Sequence, residues 1–202
     1  MLEPNKMFAA IHTQATGELM QLMNGFYHNI EDGLFELAYC NADQIQQRHI
    51  VELMRELRYR RKQLLRTFGK RMEQAHQGWF GAYDSGPELI EERVIANEMA
   101  AKCSAHFSAV IQSIAERAEH ATARDIVRYN LPISAEEVSY HFVMSCRSVK
   151  FDKYSVATVQ SLFQRFVLDR LGAIYGQVNN QLENSGYQTR SELEAYALSS
   201  SA

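Results

Sequence analysis

The stretch from Asp43 to His76 constrains the fold more than any other part of the chain, because a single helical period runs along it. Apolar residues recur there in steps of three and four, which places them on one face of an α-helix. This apolar seam consists of Ile50, Met54, Leu57, Leu64, Phe68 and Met72, with Arg61 interrupting it. A second set with the same spacing, here named the basic stripe, consists of Arg55, Arg58, Lys62, Arg66 and Lys70. The pattern predicts one long helix that packs by its seam and carries a row of cations.

The first forty residues predict another long helix, from about Asn5 to about Tyr39. Its apolar residues keep a near-heptad spacing over several turns. They are Phe8, Ile11, Ala15, Leu19, Leu22, Phe26, Ile30, Leu34 and Leu37. Gly17, Gly25 and Gly33 interrupt this helix in steps of eight, and Gly33 is the expected position of a bend. Because only a short link separates the two long helices, we expect an antiparallel hairpin. The extended seam also makes a symmetric homodimer along the first helix a candidate assembly.

Capping residues mark where helices begin in two places. Asn41 or Asp43 is expected to cap the basic helix. Ser134 and Glu137 have the spacing of a capping box, in which a serine side chain and a glutamate side chain satisfy each other's backbone N–H groups. A short helix is therefore predicted from Ser134 to about Ser148.

Two further long helices are predicted around that short one. The first runs from about Glu88 to Arg117 and is followed by a loop. The second is capped by Asp152 and ended by Gly186, since glycine commonly terminates helices. Residues 188–202 are expected to form a tail that contains a short helix and then frays.

Composition supports a single helical domain. The 202 residues include only three prolines and ten glycines, too few for the frequent turns of a β-sandwich. With 46% hydrophobic residues, the chain can bury a sizeable core. The predicted fold class is all-α, with a long antiparallel helical hairpin or bundle and the short capped helix packed across it. The domain is assigned to residues 1–187.

Charge is distributed unevenly along the chain. Residues 41–76 contain nine Lys and Arg against four Asp and Glu, a balance of +5, whereas the whole chain has a net charge of −3. The rest therefore carries −8, which argues against a generic polyanion binder. The three cysteines lack a Cys-x-x-Cys motif, and the chain shows no signal peptide and no apolar run long enough to span a membrane. These features favour a cytoplasmic protein with reduced thiols.

An aromatic segment follows the basic helix. It combines Gly78, Gly81, Gly86 and Pro87 with Trp79, Phe80 and Tyr83. Such a loop either folds onto the core of its own domain or forms a docking surface for a partner, and the sequence leaves both interpretations open.

Catalytic and metal chemistry find little support in the sequence. A di-iron site in a helical bundle needs two Glu-x-x-His motifs, and Glu73 with His76 supplies one without a second copy. His141 and Cys146 stand five residues apart, which turns them about 140° from each other on a helix. We therefore predict no catalytic residue, no metal and no cofactor.

Four segments resemble a known family. Glu31–Ala38 and Glu52–Arg61 resemble the N-terminal region of the bacterial domain-of-unknown-function family 1631, and Phe163–Tyr175 and Asn179–Leu182 are similar to another of its blocks. Because typical members are longer, the resemblance implies either a short member or the N-terminal piece of one. It also implies a bacterial cytoplasmic regulator or scaffold and supplies no catalytic residue.

The basic stripe permits three interpretations. It is a phosphate-binding ridge, a solvated or internally paired face, or a face that meets an acidic surface on the third helix or on a partner protein. The leading hypothesis is a non-enzymatic bacterial regulatory or scaffold module that acts by protein–protein interaction. The alternative is a regulator that binds nucleic acid or a nucleotide second messenger through the stripe. A metalloenzyme built in the bundle comes third.

Overall fold

The computed structural model describes residues 4–40, 43–81, 90–147 and 153–200. The helices are α1 (Pro4–Cys40), α2 (Gln44–Gln74), α3 (Ile90–His106), α4 (Ser108–Thr122), α5 (Ala135–Cys146), α6 (Lys153–Phe166), α7 (Leu171–Asn184) and α8 (Arg190–Ser200). Short 3₁₀ turns cover Ala75–Phe80, Arg128–Asn130 and Leu168–Arg170. The described residues contain no β-strand, so the predicted all-α class is confirmed.

The predicted hairpin of α1 and α2 is confirmed. Asp43 caps α2, and its side-chain carboxylate accepts a hydrogen bond of 2.9 Å from the backbone N–H of Ile45. The apolar seam of α2 is buried except for Met54, which is partly buried. Asn41, the other candidate cap, lies outside the described residues.

Helix α1 runs through Gly33, the expected position of a bend, and continues to Cys40. A Cβ added at Gly33 would lie 2.9 Å from Cδ2 of Leu162, so glycine allows α6 to approach α1 closely there. No atom within 4 Å would meet a Cβ at Gly17 or Gly25.

The first helix offers no free seam for the homodimer suggested by its sequence. Its predicted apolar residues are buried by other helices of the same chain, apart from the half-buried Leu22 and the exposed Leu37. Contacts with α2, α6 and α7 account for this burial. The seam therefore builds the core of one chain, and the reason given for a dimer along it no longer holds.

Two predicted long helices are each divided. The third helix breaks at Phe107 into α3 and α4, and the last one breaks after Phe166 into α6 and α7. The two breaks meet in space. A Cβ on Gly172 would lie 2.7 Å from the Phe107 ring, and the thiol of Cys103 donates a 3.2 Å hydrogen bond to the backbone carbonyl of Leu168. Tertiary packing therefore redirects both helices at one place.

The short capped helix α5 packs against α3 and α2, as expected, but its capping box is only half formed. The hydroxyl of Ser134 accepts a 3.2 Å hydrogen bond from the backbone N–H of Glu137. The backbone N–H of Ser134 donates a 2.8 Å hydrogen bond to the carbonyl of Leu131, and the buried Glu137 carboxylate accepts one of 2.6 Å from Arg93. The guanidinium of Arg93 also lies 3.8 Å from the centre of the Tyr140 ring.

The C-terminal part is held by polar contacts. Gly186, at φ +89°, follows the end of α7 as predicted. The buried Arg117 on α4 donates hydrogen bonds of 2.9 Å to each carboxylate oxygen of Glu192 on α8. Arg190 pairs with Glu119 at 2.7 Å. Residues from 188 onward thus include an ordered helix that is fastened to α4.

Among the described residues, no helix is both long enough and apolar enough to cross a bilayer. All three cysteines are free, and Cys40 alone among them is exposed. The predicted helix starts at Glu88 and Asp152 lie outside the described residues.

Candidate functional site

The basic stripe lies on the outer face of α2. Each of its five side chains is exposed, whereas the seam residues point into the core. A helix turns by about 100° per residue, which places Arg55, Lys62 and Arg66 roughly opposite Leu64 and Leu57. The stripe therefore faces solvent along most of the helix.

In the part of the chain that the structure describes, the stripe is paired at one position. Nε of Arg58 donates a 3.0 Å hydrogen bond to Oε1 of Glu31 on α1, and Nη2 of Arg58 bonds the second carboxylate oxygen. The Arg58 guanidinium holds the pKa of Glu31 below its usual range. This contact fixes the position of one stripe cation against α1.

The other four stripe residues make no side-chain hydrogen bond or ion pair within the described parts of the chain; they are Arg55, Lys62, Arg66 and Lys70. Beside the stripe, Glu56 and Arg60 form an ion pair of 2.8 Å one turn apart on α2. Most of the stripe cations therefore contribute no hydrogen bond or ion pair to the described fold.

The acidic third helix does not face the stripe. Among the described residues, no hydrogen bond or ion pair joins the stripe to α3. Glu92 on α3 instead pairs with Arg147 at 3.0 Å, and Ser104 bonds Glu136 at 2.7 Å, because α3 lies against α5. The described part of α3 therefore does not supply the acidic surface that one interpretation of the stripe expects.

Sequence reasoning missed three residues on the outer face of α2. Arg48, Val51 and Tyr59 share the helical spacing of the stripe and are exposed, Tyr59 to 86% of its area. Extending the stripe's own three- and four-residue steps toward the N-terminus would have found Arg48 and Val51. The outer face is therefore basic with apolar side chains among the cations.

The described aromatic residues of this segment, Trp79 and Phe80, pack on the domain's own core. Trp79 is 0% exposed and stacks on Phe8 with ring centres 5.4 Å apart. Phe80 is partly buried and meets the same ring edge-on at 5.5 Å. Tyr83 lies outside the described residues. Trp79 therefore offers no surface to a partner, since its large apolar ring is more stable inside the domain's own core.

A buried histidine completes the anchoring of this tryptophan. The indole N–H of Trp79 donates to Nδ1 of His12 at 3.2 Å, and Nε2 of His12 donates to the backbone carbonyl of Met72 at 2.7 Å. These two bonds fix one neutral tautomer of the imidazole. Burial lowers the pKa of His12, which favours the same neutral form.

A groove lies beside this histidine between α1 and the end of α2. Its lining residues are Ala9, His12, Thr13, Thr16, Gly17, Met20, Glu73 and His76. Glu73 and His76 are thus brought near His12, yet the described residues contain no group of three or more His, Cys, Asp or Glu side chains that could hold a metal ion. In the part of the chain that is described, no further side chains complete the di-iron motif that Glu73 and His76 begin.

His141 and Cys146 are both poorly suited to nucleophilic chemistry. Burial raises the pKa of the Cys146 thiol to about 12, so the reactive thiolate is scarce near neutral pH. Burial and the nearby cations Arg71 and Arg93 lower the pKa of His141 to about 3. Nε2 of His141 lies 3.7 Å from the Glu137 carboxylate, and both side chains are buried. His141 is buried, and Cys146 on the same helix is partly buried against the core.

Comparison with known families gives one result. The model of a family described as "Protein of unknown function (DUF1631) N-terminal domain" matches residues 86–186, half of the chain. The matched range covers α3 to α7, and the stripe on α2 lies before it. No curated protein and no solved structure matches the chain.

Proposed function

The chain belongs to the DUF1631 family, and we propose that it acts as a non-enzymatic regulatory or scaffold module that binds another protein through the basic stripe of α2. The observation that carries this proposal is the row of exposed cations that the fold leaves without partners in its described parts. Its expected partner is an acidic protein surface in the bacterial cytoplasm.

The position of the stripe supports an interaction role over an internal one. Arg58 is held by Glu31, but the cations before and after it extend into solvent. Between Arg55 and Lys70 the helix rises about 22 Å, at about 1.5 Å per residue. Opposite charge on a partner would steer association and fix its register along this row.

The side chains between the cations add apolar contact area. Tyr59 and Val51 are exposed on the same face. Tyrosine and arginine are enriched at protein interfaces relative to the rest of protein surfaces. A purely solvated face would gain nothing from these apolar groups.

The second candidate function is binding of nucleic acid or of a nucleotide second messenger. It is favoured by the same cations and by Tyr59, because a base can stack on an exposed ring beside basic residues. The −8 balance of the rest of the chain repels a long polyanion and ranks this candidate second.

Charge reversal on the stripe tests the proposal. The variant Lys62→Glu with Arg66→Glu changes two exposed residues and retains both Arg58 and Glu31. Tagged wild-type protein is expected to retain one stoichiometric partner from a native bacterial lysate, and the reversal variant is expected to lose it. The matched control is Lys102→Glu with Arg165→Glu, which moves the net charge equally at exposed positions on α3 and α6.

Two outcomes would reject the proposal. If the stripe reversal leaves the captured partner bound as well as the control does, the stripe is not the interface. If a 20-nucleotide RNA is shifted in a low-salt mobility assay by the wild type and the control but not by the reversal variant, and no protein is captured, the nucleic-acid alternative replaces the leading one.

A further inference from the structure

The register of the α1–α2 hairpin can be fixed from two contacts. Arg58 bonds Glu31, and a Cβ added at Gly69 would lie 3.2 Å from Sδ of Met20. In both contacts the two residue numbers add to 89, so the antiparallel register is constant between them. It places Phe35 opposite residues 54–55.

This register brings exposed apolar side chains of both helices together, near the C-terminal end of α1 and the N-terminal half of α2. On α1, Phe35 lies one turn beyond Glu31 and is 63% exposed, and Tyr39 is 84% exposed. On α2, the exposed Val51 directly follows Ile50, the residue opposite Tyr39, and Tyr59 lies one turn beyond Arg55. We name the set Phe35, Tyr39, Val51 and Tyr59 the hairpin patch.

The hairpin patch adjoins the stripe at its Arg55 end. Arg55 stands on α2 between Val51 and Tyr59, at four-residue steps from each. A row of cations and a group of apolar side chains therefore form one continuous surface, in which the apolar part occupies the end nearest the turn between the helices. Such a surface is complementary to a segment that is apolar on one side and acidic beside it.

We infer that the partner presents an amphipathic acidic helix, with its apolar residues on the hairpin patch and its carboxylates along the stripe. This inference rests on the function proposed above and names the partner's chemistry. From Val51 to Lys70 the surface extends about 29 Å, the length of a helix of about five turns. Helices commonly dock in this way through apolar anchors at three- and four-residue spacing.

The apolar side chains of the hairpin patch favour a protein over a nucleic acid. Val51 provides aliphatic contact, which suits an apolar side chain better than a nucleobase. Binding of a nucleic acid to this surface is therefore the competing outcome of the test.

Two synthetic peptides of equal composition test the inference. The first is a 20-residue helix with leucines in steps of three and four and glutamates beside them. The second has the same residues rearranged so that the leucines surround the helix. Titration calorimetry is expected to show the first binding at least about tenfold more tightly to the wild-type protein. Phe35→Ala with Tyr59→Ala is expected to remove about that difference, since each truncation loses apolar burial.

Control variants separate the inference from the proposed function. Ile90→Ala with Val127→Ala truncates two exposed apolar residues elsewhere and is expected to leave both affinities unchanged.

Equal binding of the two peptides, with both lost on Lys62→Glu and Arg66→Glu, would overturn the amphipathic partner and keep the acidic one. No binding of either peptide would overturn both. Tighter binding of a 20-nucleotide oligouridine than of either peptide would assign the surface to nucleic acid. Helical circular dichroism of each variant confirms that it is folded.

Discussion

The Arg58 guanidinium on α2 donates a hydrogen bond to the Glu31 carboxylate on α1, with Nε 3.0 Å from Oε1. The pair joins the exposed stripe to the neighbouring helix and orients one cation of the five. Replacing Glu31 by Gln would remove a competing carboxylate from the surface. We predict tighter binding of an acidic partner by Glu31→Gln, with a steeper dependence of affinity on salt concentration.

The same pair has a defined pH dependence. Because Arg58 lowers the pKa of Glu31 in the folded protein, the pair's stabilisation is present at neutral pH and is lost as the pH falls through the lowered pKa. The stability difference between wild type and Glu31→Gln should therefore shrink on acidification. Urea denaturation at neutral and acidic pH measures it, and a difference that grows in acid would contradict the assignment.

Glycine-to-alanine substitutions should have opposite effects at two helical positions. Gly17→Ala adds a methyl group where no atom lies within 4 Å, so it should stabilise the protein by up to about 1 kcal/mol. Gly172→Ala places its Cβ 2.7 Å from the Phe107 ring and should destabilise it. Thermal denaturation of both variants tests the close packing between the two helix breaks. This packing predicts a lower Tm for Gly172→Ala only.

The Trp79 indole N–H contributes to stability separately from its ring. Trp79→Phe keeps an aromatic ring beside Phe8 but removes the donor to His12 Nδ1. A buried acceptor left unpaired costs about 1–3 kcal/mol, and loss of ring volume adds to this. We therefore expect a lower urea midpoint for Trp79→Phe. The same substitution would leave stability unchanged if Trp79 were exposed on a docking loop.

The neutral state of His141 predicts acid sensitivity. Its pKa falls from 6.5 to about 3 in the folded protein, mainly through burial, whereas the unfolded chain takes up a proton near 6.5. Stability linked to this group is present above pH 6.5 and declines as the pH falls from 6.5 toward 3. His141→Gln should flatten that decline in unfolding free energy. An unchanged decline in His141→Gln would contradict this account.

Sequence reasoning predicted the two N-terminal helices well because both depend on local periodicity and on a strong cap at Asp43. It missed the breaks at Phe107 and after Phe166, since apolar residues continue through both places and no glycine or proline marks a stop there. Each break depends on a contact with a distant helix, such as that of Phe107 with Gly172. Local pattern alone does not contain that information.

The candidate site was predictable to a similar extent. The spacing of Arg55 to Lys70 identified an exposed face, because side chains three and four residues apart share one side of a helix. The burial of Trp79 was left open, since it depends on Phe8 and His12 at the far end of the hairpin. The position of Phe35 beside the stripe required the register between α1 and α2.

The most direct test of the proposed role is the affinity of the purified chain for its captured partner as a function of sodium chloride concentration. An interface formed by the stripe predicts that affinity falls steeply with salt, and that Lys62→Glu with Arg66→Glu abolishes most of the binding and of the salt dependence. The control pair Lys102→Glu with Arg165→Glu should behave like the wild type. A partner that binds the stripe reversal as tightly as the wild type at every salt concentration would contradict the assignment of the stripe as the binding surface.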